Sequence, residues 1–406
     1  MINLLQVSLE EAVAICKQEV EVMSTARIKL ERIAGRICAD QYCSAHNIPG
    51  FDRSRVDGFA VHSQDLSKLG DHKGLSLLLT GSIRAGELIR ATLTPGETWR
   101  LMTGAILPQG CAAVIRQEDV NIGSSSITIH REIGWGENIE NKGSTVTAGS
   151  VLASPGQRLR ATDIELLASA GFAEIEVYQR PKVYLIQTGD ELVMPGNCLP
   201  EGKIYNSNRG QFFALILSSG ARPLAGEGPT GDCVERLAEE IMRAVESAPL
   251  VIITGGTQQG DYDLVPAVLN KLQARQLFAG VKIRPAHNTG VWYLNRTLVF
   301  NLPGNPSGGY LLFHALIRPV LNHLSGLRPS DEAWVSLPLE QATVKAQPQR
   351  CLKRGFLSIG QNGQCQLFSL PSWTGQFGWE VIADIPGTTE NDQGALRCLP
   401  VGCIMS

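Results

Sequence analysis

Apolar and polar positions follow patterns that change from one region of the chain to the next. In residues 8–22 the apolar residues recur at helical intervals, and Ser8 and Glu11 have the spacing of a capping box, which predicts a helix. Residues 25–145 consist of short β-prone runs, such as Leu77–Leu79, separated by Gly, Pro and Asn. That texture is typical of a small β-rich domain with long loops.

From Pro181 onward, short apolar strands alternate with amphipathic helices. The predicted strands are Lys182–Gln187, Leu250–Ile253 and Thr297–Leu302. The predicted helices are Asn208–Ser219, Asp232–Glu246 with an aspartate at or near its N-cap, Asp263–Leu272, and a segment from Pro306 to about Leu324. Strands and helices at this spacing predict a mostly parallel sheet that is covered by helices on both faces.

Two further regions complete this division of the chain. A short strand at Val151-Leu152 and a helix at Ala161–Ala170, ended by Gly171, are predicted between the β-rich and α/β regions. Leu324–Ser330 has the composition of a linker. Residues 331–406 contain short β-like runs and several Gly and Pro, so a separate small β domain is expected there.

Composition excludes several classes of function. Lys and Arg number 36 against 39 Asp and Glu, a formal net charge of −3, so there is no basic excess to coat a nucleic acid. No apolar run approaches the roughly 20 residues needed to cross a bilayer. Met1–Leu5 lacks the features of an export signal, and the ten cysteines contain no Cys-x-x-Cys pair. We therefore expect a cytoplasmic protein with reduced cysteines and no nucleic-acid or membrane partner.

Each of three predicted strands leads into a polar loop that contains glycine. These loops are Thr188–Glu191, Thr254–Asp263 and Pro303–Pro306. Ligands of open α/β sheets bind at the carboxyl ends of the strands, where glycine backbone N–H groups and helix dipoles favour a phosphate. The loops also supply carboxylates, which are hard oxygen ligands suited to Mg²⁺: Asp190, Glu191, Asp261 and Asp263.

A purely structural interpretation of these loops stays open. Glycine can mark tight turns between strands and helices, and acidic residues can cap helices. The β-rich region has two polar segments with the same ambiguity. Asp52–Ala60 mixes acids and bases just before a strand, and Arg100–Ala105 ends in a Thr-Gly turn; each is either a functional segment or a salt-bridged loop or turn.

A set of short motifs occurs in a fixed order between about residues 5 and 326. The motifs are Ile48–Asp52 with Val56–Val61, Met102–Ala105 with Pro108, Gln117-Glu118, Gly136–Ile139, Thr188–Leu192, Asn208, Gly255-Gly256 with Gly260–Asp263, and Leu302–Pro306. In this order they resemble the signatures of the molybdopterin molybdenumtransferases, the family of bacterial MoeA and the E domain of gephyrin. Each motif alone is weak, but the ordered set is specific.

The resemblance implies a fold class and a division into domains. The fold class is α/β plus β, in a multidomain chain whose α/β domain is a sandwich of the molybdopterin-binding type. The implied domains are a linking and dimerisation domain, a β-rich domain, the molybdopterin-binding α/β domain and a C-terminal β domain. Their boundaries are residues 1–24 with 45–53 and 146–177, residues 25–44 with 54–145, residues 178–327, and residues 328–406.

The resemblance also implies an activity and partners. The family inserts molybdate into adenylylated molybdopterin with Mg²⁺ present and releases AMP, the last step of molybdenum cofactor synthesis. Its active site lies between the subunits of a homodimer. A molybdopterin adenylyltransferase and molybdoenzyme chaperones are the further partners that it implies.

The family's functional positions can be placed on this sequence one by one. The catalytic positions are Asp57, Thr103, Glu191 and Asp263, of which Glu191 and Asp263 are the expected metal ligands. The residues assigned to substrate binding are Gly189, Asp190, Asn208, Asp232, Gly255, Gly256, Arg284, His287, Pro303, Gly304, Asn305 and Pro306.

The sequence departs from the family pattern at several anion-binding and acidic positions. Arg284 and His287 stand where the family has two lysines, so one fixed positive charge is kept and the second depends on protonation. Thr145 stands where an acid is usual, and Thr257–Gln259 replaces the usual Val-Ser-Val.

Three hypotheses about function follow from these observations. The first is the molybdenumtransferase activity itself. The second is a catalytically weakened paralogue that binds molybdopterin or the finished cofactor as a carrier or scaffold. The third, a weaker one, is that the same fold acts on another phosphate-bearing substrate.

Overall fold

The chain forms two compact units in this computed structural model. The described residues are 6–69, 74–88, 92–256, 264–285, 287–329, 334–338, 349–359, 365–369, 378–385 and 395–404. The first unit comprises Met1–Asp40, Pro155–Leu159 and Glu174–Ser406, and the second comprises Gln41–Ser154 and Arg160–Ala173. The segments predicted for the linking domain are shared between the two units, and the division into four domains stays a prediction.

The second unit is built around a β-rich sheet. Among its described residues, six strands lie in the order Cys111–Arg116, Gly58–His62, Glu97–Leu101, Leu75–Ile83, Ser126–Ile129 and Val120–Ile122. Neighbours are antiparallel except for the parallel pair formed by the third and fourth of these strands. The buried side chains of this sheet include Phe59, Val61 and Ile115, which share one core. The predicted β-rich domain is thus confirmed as a sheet.

Short elements complete the second unit. Two-residue strands pair Arg53–Ser54 with Ile139–Glu140, and Tyr42–Cys43 pairs with Val151–Ala153. The helical segments are Ser63–Leu66, the 3₁₀ turn Gln117–Asp119 and Ala161–Ser169. The last of these begins after Arg160 as N-cap, while the positive φ of Gly171 follows its C-cap as predicted.

The first unit contains the predicted α/β sheet. Its described strands lie in the order Arg222–Ala225, Lys182–Gln187, Leu250–Thr254, Thr297–Leu302, Gly290–Leu294 and Arg275–Ala279. The first four are parallel, and the last two continue the sheet antiparallel. The prediction of a mostly parallel sheet is confirmed, but the two antiparallel strands were not predicted.

Alternate side chains of each central strand enter opposite cores. Val183 and Leu185 pack in one core with Phe212, whereas Tyr184 and Ile186 pack in the other. The period of two follows from the pleat of the strand, and burial on both faces explains why these strands are continuously apolar. The sheet is therefore the middle layer of a three-layered α/β sandwich.

The helices of the α/β region flank this sheet. They are Ser207–Ser218, Val234–Ser247, Leu264–Lys271, Pro306–Leu312 and Arg318–Leu324, with the π-helical turn Phe313–Ile317 between the last two. Leu237 and Ile241 from the second helix pack in the core that contains Tyr184. Leu192–Val193 and Ile204–Tyr205 form a short parallel pair beside the sheet.

The N-terminal helix spans Leu9–Gln18, shorter than the predicted 8–22. Ser8 is its N-cap and forms the predicted capping box with Glu11, in which Ser8 Oγ accepts from Glu11 N at 3.2 Å and Glu11 Oε2 accepts from Ser8 N at 2.8 Å. Its buried residues join the core that contains Val183. The local pattern thus fixed the start of the helix better than its end.

A segment that was assigned to the β-rich domain forms a strand outside the β-rich sheet. Thr25–Lys29 pairs antiparallel with Glu174–Tyr178 in the first unit, not with a strand of the β-rich sheet. The 3₁₀ turn Leu30–Arg32 follows it. Residues 25–44 therefore do not all belong to the β-rich sheet, because strand pairing depends on distant residues that the local sequence does not reveal.

The C-terminal region is a β-sheet, as predicted, and its strands are antiparallel. Its described strands lie in the order Val335–Pro338, Ala395–Ile404, Gly378–Ile385, Cys351–Ile359 and Cys365–Ser369. Arg350 precedes one of these strands and forms ion pairs at 2.7 Å with Asp384 Oδ2 and at 2.6 Å with Glu10 Oε1. The N-terminal helix is thereby tied to the C-terminal sheet.

A buried histidine lies in the π-helical turn. His314 stacks edge-on against Tyr310 and Phe313, and its Nε2 has no hydrogen-bond partner among the described residues. Burial, and then the positive charges of Arg318 and Arg354, lower the pKa of His314 to about 3. The folded protein therefore holds this imidazole neutral where the unfolded chain, with a pKa near 6.5, begins to bind a proton.

We expect this histidine to make stability fall with acidity. Between about pH 6.5 and about pH 3 the unfolded state binds a proton that the folded state does not, so stability falls as pH falls, by up to about 1.4 kcal/mol per pH unit. His314→Phe removes this contribution and should reduce the change of the free energy of unfolding with pH. Urea unfolding at about pH 7 and about pH 5 would measure this change. The exposed His46→Phe is the control. Equal slopes in wild type and His314→Phe would contradict the account.

Candidate functional site

Three loops of the first unit lie side by side at the carboxyl edge of the parallel strands. They follow Lys182–Gln187, Leu250–Thr254 and Thr297–Leu302, which are neighbours in the sheet. Thr188 N donates to Thr254 O at 3.1 Å, and Gly255 N donates to Leu302 O at 3.3 Å. The predicted convergence of these loops is therefore seen for their described residues. Thr257–Asp263, and with them the predicted metal ligand Asp263, lie outside the described residues.

Glycine is required where these loops approach each other. Gly255 has a φ of +100°, and a Cβ there would clash with the carbonyl oxygen of Thr188. Gly189 has a φ of +139°, and a Cβ there would clash with the carboxylate of Glu191. The absence of side chains at these positions lets the loops pack closely against each other.

Acidic residues cluster at the first of these loops. Thr188 Oγ1 donates to Gly231 O at 2.7 Å and lies 3.4 Å from Asp232 Oδ1. Asp232 N donates to Asp190 Oδ1 at 3.1 Å, and Asp190 N lies 3.4 Å from Asp232 Oδ2. These reciprocal contacts join two segments that are 42 residues apart in sequence. Asp190, Glu191 and Asp232 are all exposed to solvent.

Asp232 lies next to the N-cap of a helix, as predicted, but it does not cap the helix. The helix begins at Val234, and its N-cap is Cys233, which makes no side-chain capping hydrogen bond. Asp232 instead bonds to the Thr188–Asp190 loop, which gives it a place in the candidate site. An acid just before a helix looks the same in sequence whether it caps the helix or bonds to a distant loop.

Asn208 links a helix to the third loop of the site. Its Nδ2 donates to Gly304 O at 2.8 Å, which joins the start of a helix to the Pro303–Pro306 loop. Asn208 Oδ1 and Thr254 Oγ1 are buried and have no hydrogen-bond partner among the described residues. Buried polar atoms are normally paired, so these two atoms are available to a ligand donor.

The Pro303–Pro306 loop opens another helix. Asn305 is its N-cap and accepts from Ser307 N at 3.0 Å, and Pro306 occupies the first helical turn. Proline suits this position because the N–H groups of a first turn have no partner within the helix. The loop is consequently held rigidly beside the glycine pair of the neighbouring strand.

Arg284 and His287 of the predicted site meet a residue that the sequence did not indicate. Arg284 Nε lies 3.2 Å and His287 Nε2 3.4 Å from Gln349 Oε1. Arg284 N donates to Arg350 O at 3.1 Å, so the start of the C-terminal region also fixes the backbone here. Lys203 was likewise missed; its Nζ donates to Asp190 O. Both contacts join residues distant in sequence, and no local signal marks them.

The second unit brings its two predicted catalytic residues together. Asp57 Oδ1 accepts from Thr103 N at 2.7 Å and from Thr103 Oγ1 at 2.8 Å. These hydrogen bonds, with a smaller effect of the Arg100 charge, lower the pKa of Asp57 below its usual value. Asp57 is therefore an ionised carboxylate near neutral pH, with one oxygen fixed by the Thr103 turn.

The pKa of Asp57 should depend on the hydroxyl of Thr103. Thr103→Val removes one donor but keeps the backbone N–H, so we expect the pKa to rise part of the way towards its ordinary value. Carboxyl carbon NMR shifts followed through an acid titration would measure it. Thr162→Val, an exposed substitution in the same unit, should leave the titration unchanged. An unaltered Asp57 titration in Thr103→Val would count against the assigned hydrogen bond.

Comparison with known proteins identifies the family. A family profile for the MoeA N-terminal region (domain I and II) matches residues 7–171, and one for a probable molybdopterin binding domain matches residues 184–323. A molybdopterin molybdenumtransferase of Staphylococcus epidermidis is 31% identical over 88% of this chain and 85% of its own length. The chain belongs to the molybdopterin molybdenumtransferase family. The corresponding protein of Bacillus subtilis is 34% identical over 73% of this chain and 70% of its own.

A solved structure of the family supports the fold. The molybdopterin biosynthesis MoeA protein from Pyrococcus horikosii superimposes with a TM-score of 0.73 and 28% identity, covering 98% of this chain and 99% of that one. The predicted family, enzyme class and multidomain α/β plus β fold are therefore confirmed. Within the described part of the chain, no helix is long and apolar enough to cross a membrane.

Proposed function

We propose that this molybdopterin molybdenumtransferase inserts molybdate into adenylylated molybdopterin in a Mg²⁺-dependent reaction that releases AMP. The observation that carries the proposal is the gathering of three strand-end loops, with the acidic cluster of Asp190, Glu191 and Asp232, at one edge of the α/β sheet. Such an edge combines backbone donors for phosphate with oxygen ligands for a cation.

The residues at this edge fit a magnesium ion. Mg²⁺ prefers oxygen ligands, keeps several waters, and is usually held by one or two carboxylates together with substrate phosphates. Glu191 is exposed beside the glycine loops, and we propose that it holds the ion together with Asp263. No group of three metal-ligating side chains occurs among the described residues, which do not include Asp263. When bound, the ion would neutralise charge that develops on the phosphate oxygens.

The protein's own groups would bind and orient the nucleotide end of the substrate. The Gly255–Gly256 turn follows one of the central strands at this edge, and we propose that its backbone contacts a phosphate. The Asn305-capped helix turns its N-terminus towards the same edge and favours negative charge there. The unpaired Asn208 Oδ1 would accept a hydrogen bond from a substrate N–H or O–H group.

A carboxylate at this edge would also handle the proton of hydrolysis. A water oxygen forms a bond to phosphorus, the bridging P–O bond of the pyrophosphate breaks, and AMP leaves. The water proton passes to a carboxylate oxygen of Glu191, which acts as general base. This assignment needs an exposed, ionised carboxylate beside the phosphate-binding backbone, and the position of Glu191 supports it.

We further propose that the active site is shared within a homodimer. In the family that the chain resembles, the active site lies between the α/β region of one subunit and the β-rich region of the other. Asp57 and Thr103 would then be contributed by the partner subunit. The lowered pKa of Asp57 supports its role as a fixed acceptor for a substrate donor. The reaction takes place in the cytoplasm, between a molybdopterin adenylyltransferase that supplies the substrate and molybdoenzyme chaperones that receive the product.

Removing the metal tests the proposed reaction. Purified protein incubated with adenylylated molybdopterin, molybdate and Mg²⁺ should release AMP, measured by chromatography. Chelation should reduce the rate by about a hundredfold or more, and added Mg²⁺ should restore it. Metal-independent AMP release at the full rate would contradict the proposed role of Mg²⁺, and no AMP release under any condition would contradict the activity.

One observation favours the carrier as a second candidate. Arg284 and His287, which stand where the family has lysines, both lie within hydrogen-bond distance of Gln349 Oε1. A cation that is engaged by an amide is less available to an anionic substrate. Tight pterin binding without AMP release, together with turnover restored by Thr145→Asp with His287→Lys, would support the carrier instead of the enzyme.

A further inference from the structure

A pocket of the first unit is lined by three arginines and lies away from the candidate active site. Arg36, Arg158 and Arg180 share its lining with Ser219 and with main chain at two glycines, Gly35 and Gly220. The three arginines come from separate segments of the chain. The fold therefore brings together positive charges that no single motif contains.

The pocket lies at the opposite end of the sheet from the site described above. Ser219 and Gly220 follow the C-terminus of Ser207–Ser218, the helix in whose first turn Asn208 contacts Gly304. That helix has 12 residues and is therefore about 18 Å long. Arg180 lies two residues before the strand Lys182–Gln187, at whose other end Thr188 lies. The pocket and the proposed active site are thus separate.

Two of the pocket's arginines, Arg36 and Arg180, have no compensating carboxylate in the described part of the chain. The described lining residues of the pocket include no acid. Among the described residues, no carboxylate lies within ion-pair distance of Arg36 or Arg180. Burial and the charge of Arg180 lower the pKa of Arg36. Burial and repulsion between the guanidinium groups disfavour their charged forms, so a bound anion would stabilise them. The chain as a whole has a net charge of −3, so these positive charges are a local feature.

Helix capping does not account for the arginines. Two helices end at this pocket, and cations are often found near helix C-termini. The last turns of both helices are already closed by the main chain, since Ala221 N donates to Ile216 O at 3.1 Å and Leu327 N donates to Asn322 O at 2.9 Å. Arg36 instead donates from Nη2 to Tyr178 O at 2.8 Å.

This contact positions the guanidinium of Arg36 without neutralising it. A guanidinium has five N–H donors in a planar fork, so a single bond to a carbonyl leaves most of them for a ligand. Arg158 Nη1 likewise lies 3.3 Å from Gly35 O. Guanidinium groups that are held in place by carbonyl oxygens are well suited to bidentate contacts with phosphate oxygens.

We propose that this pocket binds a phosphate group, either as free inorganic phosphate or as the terminal phosphate of a monoester. Arg36, Arg158 and Arg180 supply the charge and the donors, and the main chain at Gly35 and Gly220 allows the oxygens to approach closely. The proposal is independent of the proposed reaction, since it involves none of the residues at the carboxyl edge.

Calorimetric titration of the full-length protein with inorganic phosphate and with glycerol 3-phosphate tests the proposal. Arg180→Gln should weaken phosphate binding about tenfold, Arg180→Lys should weaken it less, and Arg36→Gln should act like Arg180→Gln. Arg236→Gln, an exposed substitution on the helix Val234–Ser247, is the matched control and should bind like wild type. Binding of the ester as well as the free ion would point to a larger phosphorylated ligand, and binding of the free ion alone to inorganic phosphate.

Two results would overturn the proposal. One is the absence of phosphate binding by the wild type, and the other is wild-type affinity in Arg180→Gln. Arg180 is exposed and has no hydrogen bond or ion pair to another described residue, so its replacement tests the pocket even if Arg36→Gln fails to fold. An Arg284→Gln variant shows which of the two sites binds phosphate, because it should bind phosphate with wild-type affinity. If Arg284→Gln lost phosphate binding and Arg180→Gln did not, the phosphate would be assigned to the active site.

Discussion

Replacing Glu191 with glutamine is expected to slow AMP release by about a hundredfold or more while leaving the fold intact. Glutamine keeps the size of the side chain but removes the negative charge and the basic oxygen. Glu191 is exposed, so the change opens no cavity and leaves no buried charge unpaired. Single-turnover AMP release at saturating Mg²⁺ would measure the effect, and thermal unfolding would verify the fold.

A matched control separates the effect of charge from that of position. Glu239→Gln makes the same chemical change at an exposed position of the helix Val234–Ser247 and should release AMP at the wild-type rate. If Glu191→Gln also released AMP at that rate, neither metal binding nor proton transfer could be assigned to Glu191. The acidic cluster with Asp190 and Asp232 would then have a structural role.

A heterodimer of two inactive variants should recover about half of the wild-type activity. If each active site combines Asp57 of one subunit with Glu191 of the other, a purified heterodimer of Asp57→Asn and Glu191→Gln has one intact site and one that carries both changes. Each variant alone should be inactive. Tagging the two chains differently and purifying on both tags would isolate the heterodimer for the AMP assay.

The reciprocal heterodimer is the control for this experiment. Placing both substitutions on one chain and pairing it with a wild-type chain leaves no intact shared site, so this heterodimer should be inactive. A site built within a single chain would reverse the two results, because the first heterodimer would then be inactive and the second would keep half of its activity. Either pattern decides the question.

Local patterns were sufficient for much of the fold. Lys182–Gln187 and Thr297–Leu302 were predicted with the bounds that the structure has, because a fully buried strand is a continuous apolar run. Ser8 and Glu11 fixed the start of the first helix through side-chain bonds to nearby backbone. Helix ends were predicted within a few residues, since the last turn depends on tertiary packing.

Long-range contacts limited the rest of the prediction. Arg275–Ala279 and Gly290–Leu294 were missed as strands, because their pairing with the sheet, not their composition, makes them strands. Thr25–Lys29 lies in a segment that was assigned to the β-rich domain, but it pairs with Glu174–Tyr178, a contact that the local sequence does not reveal.

The candidate site shows the same limit. Its motifs were found in sequence, since glycine and acid spacing within a loop is local. The bond between Asp57 and Thr103 joins two motifs that were predicted separately, and the contacts of Asp232, Lys203 and Gln349 come from folding alone. The sequence therefore indicated the loops that we propose to carry the chemistry, but not the contacts that connect them.

A third hypothesis, another phosphate-bearing substrate on the same fold, makes a separate prediction. A ligand that binds only the folded state raises its thermal stability. Protection by molybdopterin compounds, and none by nucleotides alone, is expected for the family reaction. Protection by a nucleotide without any protection by a pterin would favour this third hypothesis.

The most direct test of the proposed reaction is to count its two products in a single turnover. Wild-type protein loaded with adenylylated molybdopterin and given Mg²⁺ and molybdate should release AMP and retain pterin-bound molybdenum in equal amounts, by chromatography and elemental analysis. Omitting molybdate should leave no metal on the pterin. Tight pterin retention with neither AMP release nor molybdenum uptake would contradict the proposed insertion reaction.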